Sequence, residues 1–495
     1  MGEEGSHRQK LFQGAAFITF GIGFELVFSF FAKVAVAKYL GTADFGAFSI
    51  GFALVTVATI VSTIGLQDGV ARTIPRSESK SDETNTILTG VLVSLLVSVA
   101  IMVIIYLFAD LVAMHLSQEG NLSRVIRIST YAIPLLVVSR VAVGVGRGYK
   151  NASLKVIIIN VLRPATFFAG TTAVLLFSIG STDATYIIPV SYVPGTVIGT
   201  YYVVKKVHLP SIFQSLSFRH DLILFSAPLM ISGFMRQILN RLDTFIIAIF
   251  EPATQVGIYN AVYPLSRLSN VFLAAFGFIV MPIFSSIDAD STNKDINSIY
   301  TFATKWIVVG TIPVFLGFSL LPTEMISFIF GREYVPGNLT LAILTVGFFV
   351  HTILGPNSNA LVALGKSKII FVFTAVSAII NVVLNLILIP LYGIVGAAVA
   401  TAISYTVLNV LNSAELYRSE HVLPVDYDMG FLIVCSTFIA IVVTNGISRL
   451  TIPPLPALIA FGLIFGPLYL ILLVVTGSLT HEDVSELIAL IKSNN

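Results

Sequence analysis

The sequence predicts an all-α polytopic membrane protein of about fourteen transmembrane helices, and three observations carry that prediction. Apolar residues fill 56% of the 495 positions and charged residues only 11%, where soluble globular chains carry roughly 25% charged. The apolar residues gather into runs of the length that crosses a bilayer, about 20 residues of helix. The basic residues between runs are unevenly shared: one set of loops holds seventeen Lys and Arg, the alternate set only five. Positive charge concentrates on the cytoplasmic side of membrane proteins, so both termini are expected in the cytoplasm.

The runs lie at 13–39, 45–66, 86–109, 128–147, 154–178, 183–204, 221–250, 256–283, 300–321, 339–364, 369–390, 394–417, 429–448 and 455–476. The first follows a polar start, MGEEGSHRQK, and is too long for a signal-peptide core, so it reads as a retained span. The loops are too short to hold a soluble catalytic domain. The lone cysteine, Cys435, sits within an apolar run and leaves no disulfide framework or cysteine metal site within the chain. Beyond the last run, Thr480 and Asp483 start a short amphipathic tail helix in the manner of a capping box.

The chain also repeats itself. The stretch LGTADFGAFSIG at 40–51 returns as EPATQVGIYNAV at 251–262, and a displacement of 211 positions carries Gly46 onto Gly257 and Phe48 onto Tyr259. Similar displacements carry Ser191-Tyr192 onto Ser404-Tyr405 and Ile159-Asn160-Val161 onto Ile380-Asn381-Val382. Spans 1–6 and 7–12 thus read as two copies of a six-helix unit. Six is even, so the copies are parallel repeats, and transporters built this way bind substrate where the halves meet. The expected domains are an N-terminal lobe (1–206), a C-terminal lobe (207–420), a terminal helix pair (421–476) and a cytoplasmic amphipathic tail (477–495).

Charges inside the spans mark the candidate site. Lys33, Arg140, Arg163, Arg236, Arg241 and Arg267 are basic, and Glu25 and Asp243 are acidic. Each charge at the bilayer centre costs about 2.5–3.5 kcal/mol on the insertion scale, so eight facing lipid would cost roughly 20. They are expected to face water, to pair, or to reach out from span ends. Glu25, Arg236 and Arg267 lie near mid-span. Arg140 and Arg163 lie towards the cytoplasmic side, and Lys33, Arg241 and Asp243 towards the outside. Helical spacing groups Asn260, Tyr263, Arg267 and Asn270 on one face, Arg236, Asn240 and Asp243 on another, and Glu25 with Ser29 on a third. Ser49, Thr56, Thr59 and Thr63 form a milder stripe. Lipid rejects such faces, so spans 1, 2, 7 and 8 are expected to wall a hydrated cavity. Its excess of bases suits an anion, and arginine's planar fork suits phosphate.

ALVALGKS at 360–367 approximates a phosphate-binding loop, but Ala360 stands in place of its first glycine and the stretch ends a membrane helix. No nucleotide-binding or catalytic motif is complete, and no cofactor, metal or nucleic acid is expected. Transport energy would come from an ion gradient, with Na+ or H+ as coupling ion, from the membrane potential, or from the cargo's own gradient. His351, deep in a span, reads as a packed, hydrogen-bonded histidine ahead of a proton relay.

With fourteen spans in two lobes plus a terminal pair, LGTADFGAFSIG after span 1 and GLQDGVARTIPR (65–76) after span 2, the chain resembles the Wzx-type oligosaccharide flippases and polysaccharide biosynthesis proteins of the multidrug/oligosaccharidyl-lipid/polysaccharide exporter superfamily. GLQDGVARTIPR is most similar to archaeal members. The resemblance covers nearly the whole chain, through loose patterns. It implies a V-shaped two-lobed fold in a prokaryotic cytoplasmic membrane. It also implies movement of a polyprenyl- or dolichyl-linked oligosaccharide with an anionic head group by alternating access, for surface polysaccharide or glycoprotein synthesis. Membrane lipids are the other partner. Basic residues in the central cavity are common in the family, which accords with Arg236 and Arg267 binding phosphate. Glu25, as the repeat partner of Arg236, would compete for that arginine. Two other readings stand beside this one: a cation-coupled multidrug exporter of the same superfamily, whose cavity should be acidic, and a membrane glycosyltransferase or glycan ligase, which should carry paired carboxylates on its outer loops.

Overall fold

The computed structural model describes residues 2–116, 121–208, 218–277, 293–422, 427–450 and 452–478, and within these the side chains outside 2–19, 228–229, 231–241 and 293–296. Every extended element among them is a helix. Ten helices among the described residues are long and apolar enough to cross a membrane. Two of the ten, Phe20–Thr63 and Ser367–Glu420, are pairs of helices joined at a single glycine. Gly41 (φ 72°, ψ 176°) breaks the first and Gly393 (φ 57°, ψ −138°) the second. Both have positive φ, a conformation glycine enters without a Cβ penalty. The seventh expected span, 221–250, is the His220–Phe250 helix, and the eighth, 256–283, runs into residues outside the described set. The tail from residue 479 onward also lies outside it.

Contacts divide the chain into two compact units, Met1–Asn260 and Ala261–Asn495. Residues 207–260, which open the second expected repeat, group with the first unit, and glycines explain why. A Cβ on Gly46 would overlap the Ala253 carbonyl, and one on Gly257 would overlap the Thr42 carbonyl. Thr42 and Ala253 are themselves 211 positions apart, so the contact is reciprocal: each glycine meets the residue four before the other. Small residues allow helix backbones in membranes to approach this closely. The duplicated stretch of sequence is therefore a helix crossing. Nearby, a Cβ on Gly65 would overlap the Ser226 carbonyl and one on Gly69 the Ser226 hydroxyl. The short Leu66–Thr73 helix thus lies against His220–Phe250, with Arg72 stacked 4.1 Å over the Phe225 ring. Asp68 pairs with Arg147 at 2.6 Å.

In the second unit, the helices Tyr427–Ser448 and Pro454–Val475 pack with Asn293–Leu320 around Ile312, Leu316, Leu432 and Phe465. The Tyr469 hydroxyl donates to the Val309 carbonyl at 2.8 Å.

Ser49, Thr56, Thr59 and Thr63 are all buried, and Thr56 and Thr59 donate to carbonyls four residues back, Phe52 and Val55. That stripe faces protein. A hydroxyl can satisfy itself on its own helix in this way, which polarity read by spacing alone does not reveal.

Candidate functional site

The charged residues of the first unit meet around a disturbed helix. Pro164 has no N–H to offer the Asn160 carbonyl, and its ring crowds the preceding turn. The backbone responds with a π segment over Val156–Leu162, which passes into the Arg163–Phe177 helix. Wide turns of this kind mark functional sites more often than chance. Here the turn carries Asn160 and delivers Arg163. A Cβ on Gly21 would press on the Val156 and Asn160 side chains, so glycine at 21 lets the first helix lie against the π segment. One turn further along the first helix is Glu25. Its carboxylate accepts a short hydrogen bond from the Asn160 amide and lies 3.8 Å from the Arg163 guanidinium.

Arg163 is otherwise held by ring faces, with Phe52 and Tyr192 centroids each 5.4 Å away. Its Nε is buried without a hydrogen-bond partner. Arg140, on the Ala132–Gly148 helix, is within electrostatic reach of Tyr192 and Arg163, and none of the carboxylates paired among the described residues is its own. Asp68 also lies within electrostatic reach of Arg140 and is paired with Arg147, so three guanidinium groups share the two carboxylates Glu25 and Asp68. The sequence expectation set Glu25 against Arg236, whose side chain lies outside the described residues; among the described residues the partners of Glu25 are Asn160 and Arg163.

The helix that carries the chain from Asn260, the last residue of the first unit, into the second unit contains a different arrangement. Asn260 stands four before Pro264, as Asn160 stands four before Pro164, and again the helix departs from α geometry: Ala253–Ser266 gives way to a tighter 3-10 turn over Arg267–Asn270. The change of winding falls between Arg267 and Asn270, the last two residues of the face expected from α-helical spacing. Asn260 is buried, its amide donating to the Val256 carbonyl at 3.0 Å. Arg267 is exposed, and its guanidinium sits 5.9 Å from the Tyr263 ring centre. Among the described residues no carboxylate lies within ion-pair distance of Arg267. Tyr263 packs edge-on to Phe348, Phe348 to Tyr405, and Tyr405 lies beside His351, with centroids 5.9, 5.1 and 5.7 Å apart. Beneath the rings is a neutral network. The His351 Nδ1 meets the Asn409 Oδ1 at 2.8 Å, and the Asn357 amide donates to Ser413 at 3.1 Å. His351 is a packed, hydrogen-bonded residue, as its sequence setting implied.

The other predicted site residues are dispersed. Asp243 is buried and accepts from the Tyr259 hydroxyl at 2.7 Å. Lys33 places its ammonium 5.9 Å from the Phe45 ring centre. Asn270 has a buried Oδ1 without a hydrogen-bond partner. The side chains of Arg236, Asn240 and Arg241 lie outside the described residues. Sequence reasoning did not select Asn160, Phe52, Tyr192, Tyr405, Asn357 or Asn409 for the site. The spacing of Asn160 from Pro164, and of Gly21 from Glu25, was the available signal for the first unit. The rings carried none, because aromatic residues are common throughout the spans.

Both arrangements can hold an anion: guanidinium groups set beside aromatic rings, with N–H donors that the rings do not use. Comparison with known proteins agrees with a transport fold in glycan assembly. Residues 11–288, more than half of the chain, match the family model described as polysaccharide biosynthesis protein. The probable low-salt glycan biosynthesis flippase Agl15 of Haloferax volcanii is 28% identical over 258 residues, which cover 52% of this chain and 53% of that protein. The chain thus matches about half the length of this relative. Among solved structures, the lipid II flippase MurJ in an inward-closed conformation superposes with a TM-score of 0.69 at 17% identity. The match covers 93% of this chain and 97% of MurJ. An inward-facing multidrug resistance MATE family transporter of the MOP superfamily reaches 0.67 at 15% identity, over 80% and 94% of the two chains. At such identities the likeness concerns fold: this is a multi-pass membrane protein with the fold of MOP-superfamily transporters.

Proposed function

The chain belongs to the polysaccharide biosynthesis protein family, and from that membership and the geometry of its arginines we propose that it is a flippase. Its cargo would be a lipid-linked oligosaccharide joined to a polyprenyl or dolichyl carrier through phosphate or pyrophosphate. It would cross the cytoplasmic membrane by alternating access, with both termini of the protein on the cytoplasmic side. The observation that carries the reading is Arg267: a cation in a membrane helix, exposed, backed by the Tyr263 face, with no carboxylate at ion-pair distance among the described residues. Such a group is expensive to keep in a membrane and marks a functional site by default. A phosphate offers the acceptors its planar fork lacks.

Arg236 is proposed for the same role from its mid-span position in the sequence, and Asn240, Asn260, Tyr263, Asn270, Arg140, Arg163, Lys33, Glu25 and Asp243 remain candidate cargo residues on the same sequence grounds. Similarity to the Haloferax volcanii glycan flippase and the MurJ-like fold support the class of cargo. The test titrates a phosphorylated prenyl glycolipid against wild type, Arg236→Ala and Arg267→Ala. Weaker binding in both is expected, and undiminished affinity in both overturns the assignment.

A multidrug exporter is the second reading, favoured by the MATE-like fold. A cationic drug needs a carboxylate free to receive it. The intramembrane carboxylates described are already engaged, Glu25 by Asn160 and Arg163, and Asp243 by Tyr259. Competition between the glycolipid and a lipophilic cation separates the two readings.

A further inference from the structure

We propose that Glu25 is an internal stand-in for the cargo's phosphate, holding Arg163 in the empty carrier and yielding it when an anionic head group arrives. The inference rests on the reading of this protein as a carrier of anionic head groups.

Three features of the first unit support it. Arg163 is held but not satisfied. Its distance to the Glu25 carboxylate, 3.8 Å, is longer than a hydrogen bond, and its Nε is buried without a partner. A guanidinium has five N–H donors, and the Phe52 and Tyr192 faces accept none of them as a carboxylate or phosphate oxygen would. A phosphate oxygen at hydrogen-bonding distance would therefore improve on what Arg163 has.

The carboxylate has its own anchor. The Asn160 amide donates to it, from the π segment that Pro164 forces and Gly21 admits. When Arg163 turns to another anion, Glu25 is not stranded: it keeps a hydrogen-bond donor and remains beside the guanidinium, ready to recapture it. An ion pair with no second partner on the acid would leave a desolvated charge behind, which is strongly unfavourable.

The cluster stays attractive to anions while the latch is in place. Arg140 lies within electrostatic reach of Arg163 and of Asp68, and Asp68 is already paired with Arg147, so three guanidinium groups share two carboxylates and one positive charge remains uncompensated. The anion is drawn in by Arg140 and then exchanged onto Arg163. Glu25 weakens binding but assists release, which a carrier needs as much as capture.

The test uses the full-length protein purified in detergent, farnesyl diphosphate as the anionic prenyl probe and farnesol as its uncharged control, with affinities from isothermal titration. Glu25→Gln removes the competing charge and retains an oxygen for Asn160, so farnesyl diphosphate should bind roughly tenfold tighter, within the range typical of coupled sites. The gain should vanish when Arg163→Ala is added, and farnesol should bind alike to all variants. Asn160→Leu acts in the opposite direction. It frees the carboxylate to close on Arg163 and should weaken diphosphate binding several-fold, so it decides the matter if Glu25→Gln does not fold. A purely structural Glu25 would give no gain in affinity on neutralisation. If wild type prefers the diphosphate over farnesol but Glu25→Gln binds it no tighter, the latch is wrong and the anionic-cargo reading survives. If wild type binds both probes equally, the cargo reading fails and the latch with it.

Discussion

Arg163 and Arg267 follow the same local rule and end in opposite electrical settings. Each lies within three residues of a proline that stands four after an asparagine, and each helix leaves α geometry there, by widening over Val156–Leu162 and by tightening over Arg267–Asn270. Arg163 has a carboxylate beside it, fixed by Asn160. Arg267 has a tyrosine face, more rings and a network of uncharged asparagines. The contrast teaches that proline makes the opening in a membrane helix, and the neighbouring helix decides whether the charge placed there is matched. In the proposed mechanism the matched cation is the latch and the unmatched one the binding site.

The largest effect expected from this contrast is on affinity. Arg267→Ala should weaken binding of a phosphorylated prenyl glycolipid by about a hundredfold, the cost of losing a charge-assisted contact. Arg163→Ala should cost several-fold less, because the cargo no longer has to displace Glu25. Equal losses in titrations of the two variants would erase the distinction between the sites.

Next is stability. Glu25→Ala leaves Arg163 with ring faces alone and should destabilise the first unit by about 2 kcal/mol, below the roughly 3–5 kcal/mol for a fully buried pair because both side chains are partly exposed. Adding Arg163→Met should recover most of that, since an apolar residue needs no partner. Thermal unfolding in detergent measures both, and a double variant no more stable than Glu25→Ala would show that the pair is not what holds these helices.

The smallest effect separates the rings. Tyr263→Leu should weaken binding at Arg267 by about 0.5–1 kcal/mol, the usual worth of a ring under a cation. Tyr192→Leu should do less at Arg163, where Phe52 and Glu25 remain. A larger loss from Tyr192→Leu would mean that the carboxylate contributes little to holding Arg163.

Much of the fold was legible in advance. Apolar runs and loop charge gave a helical multi-pass membrane protein, and the resemblance in LGTADFGAFSIG and GLQDGVARTIPR named the family that the match over 11–288 supports. The Gly46 and Gly257 repeat was visible as a pattern, but its meaning was not. That two glycines 211 positions apart touch each other's helices requires coordinates. The site was less legible. Helical spacing placed Asn260, Tyr263, Arg267 and Asn270 on one face; the 3-10 turn changes the winding from Arg267 to Asn270, while Arg267 lies against the Tyr263 ring. Spacing also read the Ser49–Thr63 stripe as wet, when Thr56 and Thr59 bond to their own helix.

By itself the sequence determined what solvent and backbone demand of any chain: apolar length that must lie in lipid, glycines where a helix breaks, prolines where hydrogen bonds fail, and charges too costly to leave facing hydrocarbon. Tertiary structure alone decided which charge meets which. Pairing depends on distances of a few ångströms between residues such as Glu25 and Arg163, far apart along the chain, and periodicity within one helix carries no information about its neighbour.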